Sequence, residues 1–344
     1  MKYREILIIL LNVVLVGLLE AKPAQKFACL GDFELENGEK IIDCRVGYRT
    51  YGELNDKRSN AILYPTWFEG TTEHMDNLIG EGKFLDPSGF YIITIDAFGN
   101  GVSSSPSNSI KQPGEKFPRF SIHDMVKAEY IVLTEKLGID HLYGMIGGSM
   151  GSFQVFEWLV AYPDFADKAL PYVCSPKLTS YDLLLLHTQL NIIESSKVAQ
   201  MQHREITKSL NMITALFART PNYMVENTSR EEFPDYLLTF NNISRNDFDI
   251  YDKRSQIRAM LSHDITRLFD RSMAETIKRL RTEVFIMVSE TDHIVNPQPA
   301  KEFARLTDSR IEVLQNNCGH LAIGCEMEKA AELVNNFFRE NSGG

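Results

Sequence analysis

The stretch Leu142-Tyr143-Gly144-Met145-Ile146-Gly147-Gly148-Ser149-Met150-Gly151 reads as a short buried strand that runs into Gly-x-Ser-x-Gly. A helix follows, from near Gly151 to about Ala161. In that setting the serine sits on a strained strand-to-helix turn, and the small residues around it let other backbone pass close by. Its hydroxyl then projects above the carboxyl edge of a sheet. The N–H groups that open the helix point at the same place, which suits a developing oxyanion.

The flanking sequence repeats this rhythm. Residues 61–64 read as a buried strand ending in the loop 65–72, and 91–95 as another ending in Asp96-Ala97-Phe98-Gly99-Asn100-Gly101. Ser121 caps a helix reaching to 137, and 169–173 form a further strand. Upstream, 33–35 and 41–51 read as strands joined through Asn37-Gly38, a strong hairpin signal. From 175 to 280 strand-like runs disappear and helical spacing takes over. The alternation then resumes with a strand at 283–288, a helix at 297–306, a strand at 311–314 and a closing helix at 327–339. This order predicts an α/β fold with a mostly parallel sheet covered by helices on both faces. Its core spans 22–174 and 281–344, and a helical lid insertion occupies 175–280.

The bulk composition sets bounds. With 344 residues, 44% of them hydrophobic, the chain can bury a full core. A formal net charge of −10 argues against a nucleic-acid partner, which would want a basic face. Lys2 and Arg4 precede an apolar run over 6–19, and Glu20-Ala21 follows, which reads as a signal peptide over 1–21. That run is short of the roughly 20 residues needed to span a bilayer. A periplasmic or secreted mature chain with no stable membrane span is therefore expected. Five cysteines are too few for a disulfide scaffold, but export permits a bridge, and Cys29 and Cys44 lie on the two strands around Asn37-Gly38.

A serine nucleophile needs a base, and the base needs an orienting acid. In a sheet of this kind the chain order is serine, acid, histidine. Val288-Ser289-Glu290-Thr291-Asp292-His293 supplies Asp292 beyond a late strand, with Glu290 as a rival. Asn316-Asn317-Cys318-Gly319-His320 supplies His320 after the last strand, with His293 as a rival that would leave no acid in between. Cys318, His320 and Cys325 lack a fourth ligand at zinc-like spacing, so no metal is expected. The oxyanion hole should take one N–H from Met150, after the nucleophile, and a second from the loop after 61–64, at Phe68. Trp67 beside it is a candidate pocket residue.

These residues carry a resemblance to the homoserine O-acetyltransferase family of the α/β-hydrolase superfamily. The motifs are Tyr48-Arg49-Thr50-Tyr51-Gly52-Glu53-Leu54-Asn55, Arg58-Ser59-Asn60-Ala61-Ile62-Leu63 and Gly80-Glu81-Gly82-Lys83-Phe84-Leu85-Asp86. Phe117-Pro118-Arg119-Phe120-Ser121-Ile122-His123-Asp124-Met125, Gly147 to Gly151 and Asn317-Cys318-Gly319-His320 complete it. The resemblance implies an α/β-hydrolase fold, the triad Ser149, Asp292 and His320, a helical lid over a deep pocket, and an acyl-serine intermediate. It also implies, for a transferase, acetyl-CoA as donor; hydrolysis needs no cofactor. Family acetyltransferases carry an Asp directly after the histidine and a lid Arg, both of which hold the amino acid acceptor. Here Leu321 takes the first position, and Asn211, with Arg219 nearby, the second. An unpaired buried charge costs several kcal/mol, so losing such partners disfavours a charged acceptor. The expectation is a serine ester hydrolase, with an O-acyltransferase as the alternative. Its partner is a small-molecule ester or acyl donor, with a homodimer compatible with the sequence.

Overall fold

The computed structural model describes residues 22–240 and 249–340; the expected signal peptide at 1–21 lies outside them. Eight strands form one sheet: β1 (Lys26–Glu34), β2 (Lys40–Gly52), β3 (Ala61–Pro65), β4 (Tyr91–Ile95), β5 (Leu142–Gly148), β6 (Ala166–Tyr172), β7 (Glu283–Ser289) and β8 (Arg310–Leu314). Their spatial order is β1-β2-β4-β3-β5-β6-β7-β8. The pairs β1–β2 and β2–β4 are antiparallel, and all the others are parallel. This is the α/β-hydrolase fold, with the hairpin supplying the antiparallel edge.

Strand alternation divides the interior into two layers. Ala61 and Leu63 face one core while Ile62 and Tyr64 face the other, and Val284, Ile286 and Val288 alternate in the same way with Phe285 and Met287. The first layer is covered by α2 (Ile122–Ile131), α3 (Met150–Ala161) and α10 (Gln298–Thr307) through Val126, Phe153, Phe156 and Phe303. The second is covered by α12 (Met327–Arg339) through Ala330, Val334, Phe337 and Phe338, with Met75 of the short α1 (Thr72–Met75). As read from the sequence, Ser121 caps α2, accepting from the Asp124 N–H.

Between β6 and β7 the described chain is helical: α4 (Ser180–Val198), α5 (His203–Ala218), α6 (Pro221–Asn227), α7 (Phe233–Thr239), α8 (Ile250–Leu261) and α9 (Met273–Ile277). Helices α4, α5 and α8 pack on one another. The short α11 (Ala322–Cys325) precedes α12.

Cys29 and Cys44, the two cysteines around the Asn37-Gly38 turn, do not pair. The register set at the turn, with Glu34 opposite Lys40, puts Arg45 rather than Cys44 opposite Cys29, and a local irregularity places Cys44 opposite Gly31. Cys29 is left exposed and Cys44 buried, both as free thiols. The disulfide that forms is Cys318–Cys325.

One buried acid makes stability pH-dependent. Glu129 on α2 accepts from the Trp158 indole at 2.6 Å, while its other oxygen has no partner. Burial pushes its carboxyl from 4.5 up to about 8. The folded state thus holds this proton to higher pH than the unfolded state does. Its stabilisation is complete below the unfolded value and is lost as pH rises through the folded one. Glu129→Gln should therefore melt several degrees above the parent at alkaline pH and level with it in mild acid, as read by calorimetry across the pH range.

Candidate active site

Ser149 stands between β5 and α3 with φ 53° and ψ −125°, a left-handed backbone that a non-glycine residue seldom adopts. The neighbouring glycines permit it. A Cβ on Gly147 would lie 2.4 Å from the Gly151 carbonyl oxygen, and one on Gly148 would lie 2.2 Å from the Tyr172 ring. A Cβ on Gly151 would meet the Pro65 carbonyl at 2.8 Å. The Ser149 N–H donates to the Tyr172 carbonyl at 3.2 Å, tying the turn to β6.

Asp292 and His320 come from loops after β7 and β8. Asp292 is 6% exposed, and its Oδ1 accepts the Ile294 and Val295 N–H groups at 2.8 and 2.9 Å. Its Oδ2 lies 2.7 Å from His320 Nδ1. His320 Nε2 lies 3.0 Å from Ser149 Oγ. A carboxylate only accepts, so it places the imidazole proton on Nδ1 and leaves Nε2 free to accept from the hydroxyl. The two rivals are engaged elsewhere: Glu290 pairs with Lys301, and His293 faces the Tyr181 hydroxyl at 3.5 Å.

Phe68 and Ser149 border the same cavity, of about 50 Å³. Among the described residues, neither the Phe68 nor the Met150 N–H donates to a protein acceptor. These are the two N–H groups expected from the sequence to form the oxyanion hole. The loop bearing Phe68 is held by a polar scaffold that the sequence reading did not single out. Asn100 Nδ2 donates to the Gly70 carbonyl at 3.0 Å and to Asp96 Oδ1 at 2.9 Å, and Asp96 also receives the Thr72 N–H at 2.8 Å. Gln256 of α8 accepts the Glu69 N–H at 2.9 Å and donates to the Phe98 carbonyl at 3.0 Å. The available signal was the Asp-x-x-x-Asn spacing directly after a buried strand.

The rest of the cavity wall is Phe153, Leu178, Leu185, Leu186, Gln189, Thr214, Met260, Ile294 and Val295, with no charged side chain. Trp67 lies outside this wall, its indole folded over Gly70. Leu321 is 44% exposed and also outside it. Asn211 is occupied by Lys253 at 3.3 Å, and Lys253 pairs with Glu69. Arg219 lies over the Tyr223 ring at 4.2 Å and within 3.5 Å of Cys325 Sγ. Cys174 is a buried thiol, which burial and the nearby Asp292 charge push well above its ordinary pKa. Among the described residues, no cluster of His, Cys, Asp or Glu is arranged to hold a metal.

Residues 67–170 match the α/β-hydrolase fold family model. A "probable esterase" of Corynebacterium glutamicum is 31% identical over 320 residues, covering 88% of this chain and 91% of its own length. The chain belongs to the homoserine O-acetyltransferase-like branch of the α/β-hydrolase family. A homoserine O-acetyltransferase of Trichormus variabilis is 26% identical over 332 residues, 89% of this chain and 91% of its own. The solved acetyl esterase MekB superposes with a TM-score of 0.84 at 26% identity, covering 92% of this chain and 97% of its own. This α/β hydrolase therefore sits among ester hydrolases and O-acyltransferases, which share acyl-transfer chemistry and differ in what accepts the acyl group.

The glycine contacts give a direct test of the Ser149 turn. Gly147→Ala should destabilise the fold by about 1–3 kcal/mol, as overpacking typically does. It should also lower turnover by displacing Ser149, as read by denaturant melts and ester assays on the same preparation.

Proposed function

We propose that the protein is a serine ester hydrolase for small, uncharged esters, with Ser149 as nucleophile, His320 as general base and acid, and Asp292 as its orienting acid. Ser149 Oγ attacks the acyl carbonyl while His320 Nε2 takes its proton. The Met150 and Phe68 N–H groups receive the oxyanion. Collapse expels the alcohol, which takes the proton back from His320. Water, activated by the same imidazole, then releases the acid and restores Ser149.

The observation that carries hydrolysis over transfer is the uncharged wall around Ser149. An amino acid acceptor brings an ammonium and a carboxylate, and each needs a partner once desolvated. Leu321 stands where the family's acceptor-holding Asp would be, and Asn211 is committed to Lys253. Acyl transfer from acetyl-CoA is the second reading, favoured by the full-length similarity to homoserine O-acetyltransferases.

The cavity size points to the acyl group. At about 50 Å³ it is far below the roughly 300–1,000 Å³ of drug-sized sites and holds only a few heavy atoms. Short acyl chains fit this space, and the similarity to an acetyl esterase agrees. The basic and apolar start of the chain, together with the Cys318–Cys325 disulfide, supports a periplasmic or secreted location. No helix among the described residues is long and apolar enough to cross a membrane.

The test is steady-state turnover of p-nitrophenyl esters by the chain from Lys22. Acetate should turn over continuously, and Ser149→Ala should lose about 10⁴-fold or more in kcat. Adding homoserine should leave the rate and the products unchanged; formation of O-acetylhomoserine faster than acetate would establish the transferase instead. Rates should fall from acetate through butyrate to octanoate, and Leu186→Ala or Met260→Ala should lift butyrate relative to acetate by enlarging the cavity.

A further inference from the structure

The base of the proposed triad sits inside a covalent ring. Cys318 and Cys325 are bonded across seven residues, and His320 lies between them on the turn Gly319–Leu321. The flanks of this turn are held by hydrogen bonds. Asn316 accepts the Cys318 N–H at 3.0 Å and donates to Glu326 at 2.5 Å, and Thr220 donates to the Asn317 carbonyl at 2.6 Å. The turn itself has Gly319 at φ 64° and packs close to the Ala218 carbonyl, where a Cβ would lie at 2.8 Å. The disulfide joins the start of this turn to the end of α11, closing the segment that aims the imidazole.

We propose that the Cys318–Cys325 disulfide is a positioning element for His320 and makes turnover depend on redox state. In the oxidised protein the ring holds His320 between Asp292 and Ser149. Reduction opens the ring and lets the turn carry the imidazole out of line. Cys325 is exposed while Cys318 is buried, so a dithiol reductant meets Cys325 first. Its thiolate attacks Cys325 Sγ, and Cys318 leaves as a thiolate that takes a proton. The reductant's second thiol then attacks its own sulfur in the mixed disulfide. Cys325 leaves beside the Arg219 guanidinium, 3.5 Å away, which favours the departing thiolate. The protein gains two electrons and two protons, and the dithiol becomes a cyclic disulfide.

The experiment is unusually clean because the chain has five cysteines and the other three, Cys29, Cys44 and Cys174, are free thiols. Reduction by dithiothreitol should raise the titratable thiols of the denatured, alkylation-trapped protein from three to five. Over the same range kcat for p-nitrophenyl acetate should fall about tenfold or more, since small misplacements of a catalytic group cost that much, while KM changes little. Removal of the reductant and reoxidation should restore kcat. The double variant Cys318→Ser, Cys325→Ser should show the low kcat from the start and no response to dithiothreitol. Unchanged kcat in protein shown to carry five thiols would overturn the proposal. So would a loss of activity that tracks loss of the folded signal in near-UV circular dichroism, which would make the bond structural only. The proposal rests on His320 being the base, and His320→Ala separates the two. A fully active His320→Ala refutes that assignment, whereas an inactive one beside a fully active reduced parent refutes the redox role alone.

Discussion

The left-handed backbone of Ser149 is the constraint on which the site depends. Such a conformation costs of order 1–3 kcal/mol at a non-glycine residue and persists only where the surroundings over-determine it. Here three glycines remove the Cβ atoms that would collide with Gly151, Tyr172 and Pro65. The closeness has a second consequence. Because α3 packs so near Pro65, the loop that carries Phe68 is brought beside the opening turn of the helix. Ser149 and the backbone of Met150 and Phe68 are thereby set by one packing event between β3, β5 and α3.

The other members arrive by a different route. Asp292 and His320 each follow a parallel strand, and parallel strands deliver their following loops to a single edge of the sheet. Two backbone N–H groups fix the Asp292 carboxylate, so the imidazole is oriented by a group that is itself immobile. Buried polar pairs do comparable work on the loop bearing Phe68. Asp96, Asn100 and Gln256 hold the 67–72 loop from the segment after β4 and from α8, which couples the helical insertion to the loop bearing Phe68.

Much of this was legible in the sequence because the signals are local. Gly-x-Ser-x-Gly after a strand, and an Asp and a His each just beyond a later strand, need no knowledge of distant contacts. Register and pairing do. Cys29 and Cys44 flank a recognisable turn, yet the register set at that turn puts Arg45 opposite Cys29, leaving Cys29 exposed and Cys44 buried. Cys318 and Cys325 gave no pairing signal, since their approach depends on how the turn at Gly319 and α11 fold back. Helix α6 carries little local signal, since it has only seven residues and no buried face. The pocket wall was the least readable part. Its residues come from α3, α4, α5, α8 and the loops after β3, β6 and β7, and their convergence is tertiary.

The measurement that bears most directly on the acyl-serine chemistry is rapid-quench peptide mapping after mixing with p-nitrophenyl acetate. An acetyl group on the peptide that carries Ser149, formed and lost at rates matching turnover and missing from Ser149→Ala, is the predicted result. Continuous hydrolysis with no acylated peptide, or with the acetyl group on another residue, would contradict it.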